Sequence, residues 1–268
     1  MARVVRPARA QALAREVLSA ESAAWLFGAG LAGGVVTAIV GGASLIVFPA
    51  MLAAGLPAVI ANASCAVALT PANLIAGVAD LGRRPRWDRA FAGLALIAIA
   101  GGVAGAVLLL LTPEKAFTAI VPVLIGTATV LFAAADRIRG WLARRAGGGS
   151  ADGLGMLLFA PVAVYGGYFG AGMSVMLLAI LSVSRSDEFR ANNVVKNLLS
   201  GLTGVVAVIV FVSQGVVVWL PTLATMAGGL LGGFVGGRLA GRLPAALLRW
   251  IVITVGSVLT VVYARRYW

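Results

Sequence analysis

Apolar residues in this chain run in long blocks, interrupted by short polar breaks. Eight such blocks follow one another: 25–52, 58–78, 91–111, 117–134, 154–181, 191–212, 220–239 and 245–263. Each approaches or exceeds the roughly 20 apolar residues that cross about 30 Å of hydrocarbon as a helix. The pattern predicts an all-α polytopic membrane protein with about eight transmembrane segments.

The blocks form two similar sets. GGASLIVF at Gly41–Phe48 is answered by AGMSVMLL at Ala171–Leu178, and Ala61-Asn62 by Ala191-Asn192, each pair 130 positions apart. Further on, Gly101-Gly102-Val103-Ala104-Gly105 resembles Gly232-Gly233-Phe234-Val235-Gly236, and Pro113 precedes the fourth block as Pro244 precedes the eighth. The chain therefore divides into an amphipathic N-terminal segment (1–22), a first repeat (23–135), a polar linker (136–153) and a second repeat (154–268). Four spans per repeat make the halves parallel, whereas an odd number inverts one of them.

Composition supports a membrane setting. Hydrophobic residues make up 61% and charged residues 11% of the chain, and a soluble surface is far more charged than that. The net charge of +12 comes from arginines clustered beside apolar blocks, as topology determinants are. No nucleic-acid motif accompanies them. One cysteine, Cys65, and no histidine exclude a multi-thiolate or histidine metal site, so neither metal nor cofactor is expected. Cys65 itself suits a small apolar filler.

A cytoplasmic N-terminus, lying on the inner membrane surface, puts Arg3, Arg6, Arg9, Arg15, the arginines of 83–89 and 137–145, Arg265 and Arg266 inside. It leaves Lys115, Arg185, Arg190, Arg238, Arg242 and Arg249 outside. Arg238 and Arg242 fit poorly there. If the fifth block entered and left on one face, the last three blocks would flip.

Blocks one and five are longer than one span needs, and both hold glycines: Gly41 and Gly42 in one, Gly170 and Gly172 in the other. Two readings stand. Small residues allow close helix packing, or they mark an unwound point whose backbone N–H groups face a cavity. Their recurrence at equal spacing in over-long blocks favours the second. Ser44 and Ser174 occupy matching positions and add hydroxyls there. Broken helices suit oxyanions, because a half-helix beginning inside the membrane presents free N–H groups and a positive dipole end.

Lys196 carries the most information of any single residue. A lysine inside an apolar block is costly and faces the protein interior or an aqueous cavity, unless its stem snorkels to the interface. Asn193, Lys196, Asn197 and Ser200 fall at helical spacings, with Asn192 and Thr203 beside them, so this helix carries a polar face from its start to its middle. No acidic residue falls within a predicted span, which points to a transported anion as the counter-charge. The matching block in the first half has Asn62, Ser64, Thr70 and Asn73 but Ala66 where the second has Lys196. Pro71 is expected to kink or break it.

These motifs resemble the sulfite exporter family known as TauE/SafE. The first copy reads Val40-Gly41-Gly42-Ala43-Ser44, Pro49 and Ala61-Asn62-Ala63-Ser64. The second reads Phe169-Gly170-Ala171-Gly172-Met173-Ser174 and Arg190-Ala191-Asn192-Asn193-Val194-Val195-Lys196-Asn197. The stretch Arg190–Asn197 is its most specific part, and the likeness covers about 25–264. It implies an inner-membrane permease for small sulfur-containing anions such as sulfite or sulfoacetate, with export the usual direction. Lys196, Asn62, Ser64, Asn192, Asn193, Asn197, the breaks at Gly41-Gly42 and Gly170–Gly172, Ser44 and Ser174 are then the expected binding residues. Alternating access between the halves is the expected mechanism. A small-anion channel and a non-transporting membrane scaffold are the alternatives. Membrane lipid is the expected surrounding. The chain lacks a nucleotide-binding motif, and an enzyme finds no nucleophile–base pair here.

Overall fold

A computed structural model of the chain describes residues 20–39, 42–79, 88–145, 152–184, 189–239 and 245–268. Gly41 and most of the N-terminal segment lie outside them. Ten helices account for nearly all the described residues: α1 (Ala20–Ile39), α2 (Ser44–Ala53), α3 (Ala58–Ala79), α4 (Arg89–Leu111), α5 (Glu114–Arg145), α6 (Asp152–Tyr168), α7 (Met173–Ser184), α8 (Phe189–Ser213), α9 (Trp219–Leu239) and α10 (Ala245–Tyr267). Within the described residues of α4, α5, α8, α9 and α10 lie stretches long and apolar enough to cross a membrane.

The count differs from eight because blocks one and five are each two helices. α1 ends at Ile39 and α2 starts at Ser44, with Gly42 at φ 93°. α6 ends at Tyr168 and α7 starts at Met173, with Gly170 at φ 77° and Gly172 at φ 83°. These left-handed conformations are costly for residues with a Cβ. The chain reverses at each turn. Gly33 of α1 lies against Val47 of α2, and Gly155 near the start of α6 lies against Ser184 at the end of α7. Both pairs are therefore antiparallel hairpins. Hydropathy carries no sign of direction, so a hairpin of two apolar helices reads as one over-long block.

α3 runs unbroken through Pro71 to Ala79. Such prolines persist in membrane helices when neighbours pack closely, and here the α8 glycines Gly201 and Gly204 lie directly against Leu74 and Thr70. α5 continues through 136 to Arg145, across the expected start of the linker.

Glycines set the helix pairings. Gly30 and Gly34 of α1 meet the α9 backbone at Thr225 and Gly229, while Gly228 and Gly232 of α9 meet α1 at Phe27 and Leu31. The order of these contacts makes α1 and α9 parallel. Gly101 and Gly105 of α4 meet Ala163 and Val164 of α6, so that pair is parallel too. α3 crosses α8 antiparallel, with Thr70 against Gly204 and Leu74 against Gly201. α5 and α10 are also antiparallel, with Gly126 near Thr260 and Gly256 near Thr129. Backbone contact through small residues is how helices associate where apolar burial offers no advantage over lipid.

The helix ends sort onto two sides. The starts of α3 and α5 meet through Glu114, and Val218 before α9 donates to Ser64 Oγ at 3.3 Å. The C-terminal Trp268 donates from Nε1 to the Ala119 carbonyl at 2.9 Å. This is the Lys115 side, and α1 starts there with α9. The opposite side holds the start of α4 at Arg89, the end of α5, and the starts of α6, α8 and α10.

Candidate functional site

α3 and α8 are the central helices. No residue from 191 to 208 of α8, and none of the described residues from 58 to 72 of α3, is fully exposed. Lys196 lies half-buried within that enclosed stretch, as do Asn193 and Asn197, while Asn192 is buried. The polar face read from the sequence therefore belongs to a helix surrounded by protein. The snorkelling alternative would suit a helix with a face on lipid.

Both breaks converge on α5. A Cβ added at Gly42 would meet the Phe132 ring at 3.1 Å, and one added at Gly172 would meet Ala128 Cα at 3.6 Å. Ala128 and Phe132 are four residues apart on one face, so the breaks lie about 6 Å apart along that helix. Phe132 is itself held from behind. Arg249 of α10 donates from Nη2 to the carbonyls of Phe132 (3.2 Å) and Ala133 (2.9 Å). Nothing in the sequence pattern ties Arg249 to Phe132, because the two are 117 residues apart.

The second break is joined to the lysine-bearing helix. Ser174, in the first turn of α7, lies with its Oγ 3.5 Å from Ser200 Oγ. Ser200 is one turn beyond Lys196 on the same face of α8. The turn itself is pinned by the Tyr165 hydroxyl, which donates to the Ala171 carbonyl at 2.7 Å. Gly172, Ser174, Ser200 and Lys196 thus form a continuous series. At the first break, Thr37 Oγ1 accepts from the Ala43 N–H at 3.2 Å, and Ser44 is the first residue of α2.

The first-half residues are used differently. Asn62 is buried and donates from Nδ2 to the Tyr168 carbonyl at 2.8 Å. Ser64 is fully buried and accepts from Val218 N–H. Thr70 donates to the Ala66 carbonyl of its own helix at 2.7 Å. These groups tie α3 to its surroundings, and the side chain of Asn73 lies outside the described residues.

One acidic residue was missed. Glu114 begins the candidate span 114–135 and is half-buried. Its carboxylate accepts from the N–H groups of Ala58 and Val59. In the sequence it sits in a turn between blocks, and its burial follows from α3 docking on that turn. Among the described residues no group of three or more His, Cys, Asp or Glu side chains could hold a metal ion.

The family model described as Sulfite exporter TauE/SafE matches residues 26–263 of this chain. No curated protein and no solved structure matches it.

Proposed function

The chain belongs to the sulfite exporter TauE/SafE family, a family of membrane transporters of sulfur-containing anions, and from that premise we propose that it carries a small anion such as sulfite or a short sulfonate by alternating access. The observation that supports this most is the convergence of both helix breaks on α5, with the second joined through Ser174 and Ser200 to the Lys196 helix. Lys196 supplies charge, Asn193 and Asn197 supply amide donors, and the first turn of α7 supplies the positive end of a helix dipole. A sulfur oxyanion sheds a costly hydration shell on entry and needs several such donors at once.

The helix pairings support two inverted halves. Adding 130 to each position of α1 and α2 leads to α6 and α7, and it converts the α4–α6 pair into the α1–α9 pair. The two central helices that correspond run antiparallel, as they do when an axis in the membrane plane relates the halves. This replaces the parallel arrangement that four spans per half would give.

The same arrangement gathers the charges. Arg89, Arg137, Arg139, Arg144, Arg145, Arg190, Arg238 and Arg249 fall at helix ends on one side. Lys115, Arg265 and Arg266 fall on the other. The arginine-rich side then faces the cytoplasm of an inner-membrane protein, which removes the difficulty with Arg238. It also puts the start of α1 outside, opposite to the N-terminus expected from eight spans.

Counterflow in proteoliposomes tests the reading. Vesicles preloaded with sulfite, sulfoacetate, thiosulfate or sulfate are expected to show saturable exchange of at least one of them, and Lys196→Ala to reduce it at least about tenfold, the ratio a charged hydrogen bond carries. Flux that rises linearly without saturation or exchange favours a channel. A folded Lys196→Ala protein that exchanges every anion normally removes Lys196 from the site.

A further inference from the structure

On the Lys115 side, one set of contacts closes on itself across both halves. Glu114 places its carboxylate on the first N–H groups of α3, Ala58 and Val59. One turn along α3, Asn62 donates to the carbonyl of Tyr168, the last residue of α6 before its break. The Tyr168 hydroxyl then donates to Thr112 Oγ1 at 3.4 Å, two residues before Glu114. Rings fill the space around this circuit. Phe117 packs edge-on against Tyr168 with centroids 5.7 Å apart, Phe48 against Phe117 at 6.5 Å, and Phe48 against Phe169 at 5.3 Å. Phe48 and Phe117 are fully buried.

The other half cannot repeat this closure. In the repeat, Phe48 matches Leu178 at 130 positions, Thr112, Glu114 and Phe117 match Leu243, Ala245 and Leu248 at the 131 that pairs Pro113 with Pro244, and Tyr168 and Phe169 match Ala38 and Ile39. Neither a carboxylate nor a ring stands at any of them. The half-buried Asn193, Lys196 and Asn197 lie in the first turns of α8, towards the arginine-rich side. Among the described residues, this circuit of rings and a carboxylate lies at the Lys115 end.

We propose that Glu114 is the latch of a gate on the Lys115 side, a positioning residue that holds the start of α3 against the tip of the α6–α7 hairpin. The inference rests on the alternating-access reading above. Opening that side requires the hairpin tip to leave α3, so the Asn62–Tyr168 bond and the ring contacts break together. The carboxylate favours the closed arrangement because it accepts two N–H groups at the positive end of the α3 dipole. Glutamine keeps the shape but loses the charge and one acceptor oxygen, so it should release the latch without emptying the space.

Side-specific labelling tests this. Cys65→Ser removes the chain's only cysteine, and Ser174→Cys then reports from the second break. A membrane-impermeant thiol reagent is applied from each face, in right-side-out and inverted vesicles. The parent is expected to label from the arginine-rich side and hardly from the Lys115 side. Glu114→Gln should raise labelling from the Lys115 side at least about tenfold, the ratio that loss of a charged hydrogen bond carries. Tyr168→Phe should raise it less, and Glu114→Asp should restore part of the closure. Thermal unfolding of each variant identifies any that merely fail to fold. The latch is overturned if folded Glu114→Gln and Tyr168→Phe label like the parent from both faces. It is equally overturned if the parent labels alike from both, including not at all. Labelling needs no anion flux. Variants that shift labelling while no sulfur anion is exchanged leave the latch standing and remove the transport reading instead.

Discussion

α3 and α8 begin with related sequences and end with different work. In α3, Asn62, Ser64 and Thr70 are buried, and each has spent its side chain on a carbonyl or N–H of the protein. In α8, Asn193, Lys196 and Asn197 remain half-buried within an enclosed helix. A lysine stands in one where alanine stands in the other. The difference teaches that matching positions of a duplicated helix can be put to different structural use. One copy ties its polar side chains to neighbouring backbone, and the other carries a half-buried cation among its own.

The strongest way to break this comparison is to remove matched amides. Asn62→Ala is expected to cost about 1–3 kcal/mol of stability, because it strips a part-buried carbonyl of its donor, and to leave the affinity for the anion nearly unchanged. Asn197→Ala is expected to do the reverse, raising KM severalfold with little change in unfolding temperature. Thermal unfolding together with KM from uptake separates the two. If both variants alter affinity equally, α3 belongs to the site after all.

The two breaks offer a smaller contrast. Gly42→Ala and Gly172→Ala both place a Cβ at positive φ, at about 1–2 kcal/mol each. Gly42 also faces the Phe132 ring at 3.1 Å, whereas Gly172 faces Ala128 at 3.6 Å. The Gly42 variant should therefore unfold at the lower temperature, and equal losses would mean that Phe132 yields freely.

Much of this was legible from residue order, and the rest was not for physical reasons. Glycines in over-long apolar blocks marked both breaks, and asparagines at helical spacing around Lys196 marked the polar face of α8. Arg238 and Arg242 raised a reversal for the fifth block alone, and residue order could not decide it for either block, because periodicity and hydropathy are the same in either direction. The burial of Glu114 depends on α3 docking more than fifty residues away in sequence, and the commitments of Asn62 and Ser64 depend on Tyr168 and Val218, both in the other half. Pro71 was expected to kink or break α3, and the helix continues through it to Ala79, packed there against Gly201 and Gly204 of α8.

The smallest expected effect is at Cys65, which is buried. Cys65→Ala removes one sulfur from an apolar site and should cost about 1 kcal/mol or less, with uptake unchanged. Loss of uptake would give that thiol a part in the site.

The central claim is that the charge of the site lies in α8 and that its counterpart in α3 is structural. Calorimetric titration of the purified protein with sulfite tests it most directly. The account predicts measurable binding by the wild type and by Asn62→Ala, and binding weakened at least about tenfold in Lys196→Ala, the loss of one charged hydrogen bond. Equal affinities for wild type and Lys196→Ala, or a loss confined to Asn62→Ala, would contradict it.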